Sequence, residues 1–248
     1  MAFPRSLTAA PLTFAVLVMA PAAASASNAK VMTWNVKGGE LQFDGVVSVI
    51  GNQNPDVVGL QEICVAQLEQ IRTALAERYK LRYRLQPGSV SRPAGRCPDG
   101  KAFGQGMLSK RRMTNPKVYK FPKRSDDERR GVMAVTIRLG KRSVRVYNTH
   151  IGLRSGTGPQ IKQVARLSSR QTRALVLGDF NADPTRAEML PMFRRFAENP
   201  RGPWTYDYNG NLVKIDYVFR RRVKAVKTEV FNSPSSDHRP MVVTVRRP

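Results

Sequence analysis

Five polar side chains stand where short apolar runs end, so that a folded sheet would leave them at one edge. They are Asn35, Glu62, His150, Asp179 and Asn181. Three more come late in the chain: Asp216 near the start of one apolar run, and Asp237 and His238 before the last. Carboxylates and histidines together can hold a cation, activate a water and move its proton. Oxygen donors without a Cys/His cluster favour Mg²⁺ or Mn²⁺ over zinc, so the pattern indicates metal-assisted hydrolysis.

The chain has only two histidines, and both fall in short polar peptides, Tyr147-Asn-Thr-His150 and Ser236-Asp-His-Arg-Pro240. A single histidine taken alone is more often a core or surface residue than a catalytic one. Asn35 alone could cap the next segment, and Asp179 or Asn181 could serve only the turn that follows. The coincidence of all these positions at strand ends favours one shared site.

Apolar periodicity predicts the elements that must position these residues. Strands are predicted at 31–35, 56–60, 80–85, 106–108, 117–121, 132–138, 144–149, 174–177, 214–220, 223–231 and 241–246. Helices are predicted at 41–50, 65–77 and 160–172, and residues 86–105, rich in Pro, Gly and Ser, are predicted to form a long loop. Helices cluster early, strands dominate later and no linker divides them, which predicts one α/β sandwich over residues 27–248.

The first 26 residues have the three-part pattern of a secretory signal. Arg5 precedes the apolar run Phe14–Ala20, and Ala24-Ser-Ala26 fits a small-x-small cleavage site. A membrane anchor is the alternative, but the run is shorter than the roughly 18–20 residues that a span needs, and Pro21 breaks it. We therefore expect a signal peptide over residues 1–26 and a secreted protein.

The two cysteines, Cys64 and Cys97, are expected to form one disulfide in an exported chain. Cys64 has a second interpretation, because it shares a helical face with Leu68, Ile71 and Leu75 and could simply be buried there. Cys97 lies in a Pro- and Gly-rich segment where a buried apolar role is harder to explain. An exported chain folds in an oxidising compartment, and this favours the disulfide over two free cysteines.

Six short peptides, in this order along the chain, resemble the motifs of the endonuclease/exonuclease/phosphatase superfamily, the family of deoxyribonuclease I. They are Thr33-Trp-Asn35, Pro55-Asp-Val-Val-Gly-Leu-Gln-Glu62, Tyr147-Asn-Thr-His150, Gly178-Asp-Phe-Asn181, Lys214-Ile-Asp-Tyr-Val-Phe219 and Ser236-Asp-His-Arg-Pro240. Each peptide is a weak signal alone, but six in the family's order are specific. The resemblance covers residues 30–246 and implies a four-layer α/β/β/α sandwich with its site at one end of two packed sheets.

The resemblance also implies a role for each residue. Glu62 would be the main ligand of Mg²⁺ or Mn²⁺, supported by Asn35 and Asp237, with Ca²⁺ as an additional candidate. Asp216 would orient His238, and His238 would be the general base on the attacking water. His150 would hold the scissile phosphate or assist the leaving group, while Asp179 and Asn181 would position water and phosphate. Relatives of this type also have a second acidic residue that supports the first histidine, and the motifs do not place its equivalent here.

The charge balance points to the substrate. Lys and Arg number 42 against 18 Asp and Glu, a formal net charge of +24. Between residues 110 and 145 there are 13 basic and three acidic residues. A polymer of phosphates explains such an excess better than a small phosphate ester, so the main expectation is a monomeric, largely sequence-non-specific endonuclease that cuts DNA, with RNA as a further substrate.

Two other functions fit the same chain less well. One is a phosphodiesterase or phosphatase at membranes, either a secreted sphingomyelinase or a phosphoinositide phosphatase. A secreted sphingomyelinase should present an exposed aromatic hairpin, and no stretch has that character. A non-catalytic binder of nucleic acid or anionic surfaces would not need both histidines and the carboxylates. Aromatic residues make up 8% of the chain and give no obvious surface for base stacking.

Overall fold

The computed structural model describes residues 1, 28–92, 97, 102–122, 129–153, 156–199 and 201–248. Its strands are β1 (Asn28–Asn35), β2 (Val57–Cys64), β3 (Arg84–Arg92), β4 (Phe103–Ser109), β5 (Thr114–Lys120), β6 (Gly131–Leu139), β7 (Arg142–His150), β8 (Ala174–Asp179), β9 (Tyr206–Tyr208), β10 (Asn211–Val213), β11 (Asp216–Arg221), β12 (Ala225–Val230) and β13 (Met241–Arg246). Its α-helices are α1 (Phe43–Gln53), α2 (Val65–Tyr79), α3 (Thr157–Ser169) and α4 (Leu190–Phe193). In the described part of the chain, no helix combines the length and apolar character needed to cross a membrane.

Two mixed sheets form the centre of the fold. The first has the order β12-β13-β1-β2-β4-β3, the second has the order β11-β8-β7-β6-β5, and β9 and β10 form a separate hairpin. Each sheet holds one parallel pair among antiparallel neighbours, β1 with β2 and β7 with β8. Strands β7 and β8 end together, where His150 pairs with Asp179, and β1 ends at Asn35, which pairs with Gln61 three residues before the end of β2. The carboxyl ends of both pairs carry residues that the sequence marked for chemistry.

Three apolar clusters show how the layers pack. One lies between the sheets and includes Val31, Val146 and Leu177. A second lies between the first sheet and helices α1 and α2, around Trp34 and Ile50, and a third lies between the second sheet and α3, around Phe180. Helix, sheet, sheet and helix thus form four layers, which confirms the predicted sandwich.

A polar bridge joins the two sheets inside this core. The Gln61 side chain donates to Asn148 Oδ1 at 2.7 Å, and Asn148 Nδ2 donates to the carbonyls of Leu60 and Gly106 at 2.9 and 3.0 Å. A side chain at Gly59 would press on Asn148 at 3.0 Å, so the glycine lets the sheets approach there. Because Gln61 Nε2 and both polar atoms of the Asn148 amide are partnered across the interface, the bridge favours one relative position of the two sheets.

The sequence predictions hold for most elements but not for all. Residues 86–92 and 103–105, predicted as loop, belong to β3 and β4, and residues 93–96 and 98–101 of that predicted loop lie outside the described residues. Residues 80–83, predicted as strand, precede β3. The β9–β10 hairpin and the short helix α4 were not predicted. The Cys64–Cys97 disulfide is present, with 5.7 Å between its Cα atoms, as expected. Residues 2–26 of the predicted signal peptide lie outside the described residues.

Candidate active site

A cleft of about 740 Å³ opens at the carboxyl ends of the two parallel strand pairs. The predicted residues on its walls are Glu62, His150, Asp179, Asn181, Asp237 and His238. Asn35 and Asp216, almost fully buried, contact wall residues from behind. The structure therefore brings all eight predicted site residues together.

A bulge in β2 presents Glu62 to the cleft. Strand alternation would place Glu62 on the face of Val58 and Leu60, which pack against the helices. The pairing of β2 with β4 shifts between Gln61 and Ile63, and Glu62 adopts a left-handed conformation with φ of 54°. The extra residue turns the Glu62 carboxylate from the helix-facing side of the strand toward the cleft, and bulges next to active sites commonly have this effect.

Asp179 lies at the centre of the buried contacts. Its Oδ2 accepts from Asn35 Nδ2 at 3.1 Å and lies 3.2 Å from His150 Nε2, while Oδ1 accepts the Asn181 backbone N–H at 2.8 Å. Asn35 Nδ2 also donates to Glu62 Oε1 at 3.2 Å. One amide nitrogen therefore links the carboxylates of the two sheets.

His150 Nε2 has two alternative partners. It lies 3.2 Å from Asp179 Oδ2 and 3.2 Å from Asn181 Nδ2, which also donates to the Ile151 carbonyl at 2.8 Å. A protonated Nε2 donates to the carboxylate, and an unprotonated Nε2 accepts from the amide. The ring can therefore exchange one hydrogen-bond partner for the other without leaving its position.

His238 and Asp216 form a buried pair. His238 Nδ1 lies 2.8 Å from Asp216 Oδ2, so the ring donates to the carboxylate there and turns Nε2 toward Asp179 Oδ2 at 3.8 Å. The segment is held by Ser236 Oγ, which accepts the His238 N–H at 3.1 Å, and by Trp34, whose indole donates to the His238 carbonyl at 2.9 Å. The arrangement is that of a base with its orienting acid.

Burial and charge act against each other in this cluster. Burial alone would raise the pKa of Asp179, but the two imidazoles and the Asn181 N–H outweigh it and hold that pKa below its usual range. Burial raises the pKa of Asp216 despite the neighbouring imidazole. Burial would lower the pKa of His238, but Asp216 and Asp179 outweigh it and raise it to about 10.

Two sets of oxygen-rich side chains could hold a metal ion. The ligand atoms of Asp179, Asp216 and His238 lie within 4.8 Å of one another, but Nδ1 of that histidine already bonds Asp216. Glu62 and Asp237 are the more open carboxylates, with side chains 21% and 36% exposed. Carboxylate oxygens at a solvent-accessible wall suit a partly hydrated Mg²⁺ or Mn²⁺.

Several residues at the site were missed by sequence reasoning. Lys37 lies 4.0 Å from Asp237, and its ion pair with Glu40 together with that charge raises its pKa. Thr205 Oγ1 accepts the backbone N–H of Asp216 at 3.0 Å. Tyr206 lies against His238 with 4.5 Å between ring centroids. Lys37 follows Asn35 by two residues and could have been found from the first motif, whereas the other two depend on the unpredicted hairpin.

The profile of the Endonuclease/Exonuclease/phosphatase family matches residues 32–238. The chain belongs to this family. Members act on phosphodiesters or phosphate monoesters, generally with a divalent metal, and include both nucleases and phosphatases. A comparison with curated protein sequences finds no match. The family membership confirms the resemblance drawn from the six peptides.

Solved structures of family proteins share the fold. An endonuclease/exonuclease/phosphatase from Bacteroides vulgatus superposes with a TM-score of 0.73 at 16% identity, covering 90% of this chain and 100% of that one. The human Nocturnin catalytic domain with bound sulfate gives 0.70 at 17% identity, covering 88% and 94%. TDP2 of D. rerio, in complex with a single-strand DNA product, gives 0.68 at 15% identity, covering 88% and 99%. These identities establish the fold alone.

Proposed function

We propose that the protein is an exported, Mg²⁺- or Mn²⁺-dependent nuclease that hydrolyses phosphodiester bonds in DNA, and in RNA, with little regard to sequence. The observation that carries the proposal is the convergence of both histidines and four acids of the two sheets on one cleft. This set can supply every group that phosphodiester hydrolysis needs: a cation site, a base with its orienting acid, and a second imidazole for the phosphate.

Glu62 and Asp237 would hold the cation, and Asn35 supports them by fixing the Glu62 carboxylate through Nδ2. Ca²⁺ is a further candidate because it takes the same oxygen ligands. When bound, the cation offsets charge on the phosphate. Lys37, 4.0 Å from Asp237, adds a positive charge at the same wall.

His238 is the proposed base at Nε2. Despite its burial, its carboxylate neighbours raise its pKa to about 10, so the ring would take the proton of the attacking water once the positive charge of a bound cation has lowered that pKa. Asp216 holds the opposite nitrogen at 2.8 Å, which selects the tautomer and stabilises the imidazolium that forms. Thr205 and Ser236 keep both partners in place through the backbone N–H groups of Asp216 and His238. The base is thus pre-oriented before substrate binds.

His150 contacts the scissile phosphate from the other wall. Its Nε2 lies between Asp179 and Asn181, so it can donate to a phosphate oxygen in place of the carboxylate or assist the leaving oxygen. Asp179 and Asn181 position water and phosphate between the two imidazoles. In this structure Asp179 is also the carboxylate nearest to His150 Nε2, within hydrogen-bond distance at 3.2 Å.

The formal charge of +24 supports a polymeric substrate. Each phosphate that a basic side chain neutralises releases counterions, so a long polyanion gains more from this surface than a small ester does. Contacts of this kind go to the backbone and carry no sequence information. A monomer is sufficient for this proposal, because one chain supplies all eight residues.

Cleavage assays of the chain without residues 1–26 test the proposal directly. Supercoiled plasmid, a single-stranded oligonucleotide and RNA are incubated with Mg²⁺ or Mn²⁺, with and without EDTA. We expect cleavage that EDTA abolishes, and a loss of about 10²-fold or more in Glu62→Gln and His238→Ala. Glu69→Gln, an exposed carboxylate on α2, is the matched control and should cut normally.

If the protein binds nucleic acid but does not cleave it with any metal ion tested, the nuclease proposal is wrong. Sphingomyelin and phosphoinositide assays under the same conditions then separate a membrane phosphodiesterase from a non-catalytic binder.

A further inference from the structure

The β9–β10 hairpin is attached directly to the catalytic segment. Arg239 N donates to the Thr205 carbonyl at 2.7 Å, Asp207 N donates to the Asp237 carbonyl at 3.3 Å, and Tyr206 bridges to His238. Asn209 and Gly210, both with positive φ, form the two-residue turn that closes such a hairpin tightly. The hairpin is therefore a fixed wall of the cleft.

Two tyrosine rings line the cleft on this wall. Tyr206 lies 4.5 Å from the His238 ring, and Tyr208 is stacked on Tyr206 with centroids 6.3 Å apart and planes 29° from parallel. Tyr208 is 58% exposed, and both rings face the same cleft as the two histidines. Leu153, another large exposed apolar side chain, also lines the cleft. An apolar surface thus continues outward from the reacting groups.

We propose that Tyr208, backed by Tyr206, stacks on a nucleobase next to the scissile phosphate, so that the enzyme selects substrates with an unpaired nucleotide there. The inference rests on the proposed nuclease function and narrows its substrate class. The composition had suggested no base-stacking surface; the structure provides one because residues 206 and 208 lie on the same face of one short strand.

The physical preference follows from base accessibility. In a duplex each base is stacked between its neighbours, and exposing its face requires unstacking and unpairing, which an already single-stranded segment does not need. Stacking on an aromatic side chain tolerates every base, since each has a π-face, so it agrees with binding that is otherwise directed at phosphates. Phosphate contacts would hold the strand, and the tyrosine would select its conformation.

The hairpin differs from a membrane-inserting one. Its turn, Asn209-Gly210, lies between Tyr208 and Asn211, and the polar groups of the turn and of Asp207 favour water over the lipid interior. The two tyrosine rings line the cleft. A nucleobase is therefore the occupant that the chemistry of this wall favours.

A fluorescent base analogue tests the stacking. Single-stranded oligonucleotides carrying 2-aminopurine are titrated with the protein in EDTA, so that binding is seen without cleavage. We expect quenching with the native chain and with Tyr208→Phe, and binding weaker by about 5- to 150-fold with Tyr208→Ala. Val226→Ala, which truncates an exposed apolar residue on β12, is the control and should bind as the native chain does.

Cleavage in Mg²⁺ separates this inference from the nuclease proposal. The native chain should cut single strands faster than duplex, an abasic position next to the cut should slow it, and Tyr208→Ala should lose both distinctions. The stacking role would be overturned if Tyr208→Ala still cut single strands faster than duplex and was still slowed by the abasic position. It would also be overturned if Tyr208→Ala bound oligonucleotides normally but lost binding to anionic lipid vesicles. Absence of all nucleic-acid cleavage would overturn the nuclease function itself.

Discussion

The Asp216–His238 pair is the contact on which the proposed proton transfer most depends. Asp216→Asn keeps the size of the side chain but can offer an N–H to Nδ1, which would favour the wrong tautomer of the ring. We expect kcat to fall by about 10²–10⁴-fold with little change in KM, since the pair acts on the base rather than on substrate binding. Steady-state kinetics measure both constants. A kcat within threefold of the native value would mean that the carboxylate does not orient the base.

The residue types at the site could be predicted from the sequence, but the backbone geometry that turns each side chain toward the cleft could not. His150 and Asp179 follow from strand alternation, because each ends a strand whose inward residues pack between the sheets. Glu62 breaks that alternation, and only the bulge explains how it reaches the cleft. A bulge depends on the partner strand β4, so a local pattern does not contain it.

Among the elements, the segment after α4 is joined by a buried ion pair to the turn between β10 and β11. Ala197 exchanges backbone hydrogen bonds with Arg220, which places Glu198 Oε1 3.1 Å from Lys214 Nζ. Both side chains are almost fully buried. Burial raises the pKa of Glu198 to about 7 even though Lys214 opposes it. The cost of desolvating the Glu198 carboxylate thus exceeds its attraction to Lys214.

This pair makes the folded state pH-dependent in a direction opposite to that of most carboxylates. Between pH 4.5 and about 7 the folded state binds more protons at Glu198 than the unfolded state does, so its contribution to stability falls as pH rises. Urea unfolding at pH 5 and pH 7.5 should show the native chain losing stability relative to Glu198→Gln. The Glu188→Gln variant, at an exposed carboxylate, serves as the control. A difference between native chain and Glu198→Gln that is constant with pH would contradict the assignment.

Elements with strong apolar periodicity were predicted, and those built from turn-forming residues were not. Strand β3 contains Pro87 and Gly88, which read as loop, yet it pairs with β4 at the sheet edge, where a missing N–H is tolerated. The hairpin strands have three residues each, too few for an alternating pattern. Both misses lie at edges, where tertiary pairing decides the structure.

For the whole molecule, the formal charge of +24 predicts that the proposed binding of nucleic acid is sensitive to salt. A protein that neutralises about six to ten phosphates loses about 10³–10⁵ in affinity between roughly 50 and 200 mM salt. We expect a loss of that order for a labelled oligonucleotide in EDTA, measured by fluorescence anisotropy. The unfolding temperature at both salt concentrations controls for stability. A loss under threefold would show that the basic surface does not bind the strand.

The family could be predicted because six peptides occur in the order that its members have, and the four layers were implied by that resemblance rather than by the peptides themselves. The relative placement of the sheets is a property of the assembled core: it depends on Gln61 and Asn148, and on glycine at position 59. No single peptide contains that information.

Three contacts of the site cross from one sheet to the other: Asn35 to Asp179, Glu62 to His150 at 3.9 Å, and His238 to Asp216. Neither sheet alone holds the proposed base, His238, together with its orienting acid, Asp216. In the proposed exported nuclease, a chain whose sheets have not yet docked is therefore inert toward the nucleic acids of the cell that makes it. The proposed enzyme would become active only when folding is complete. Recovery of activity during refolding would therefore report the docking of the two sheets.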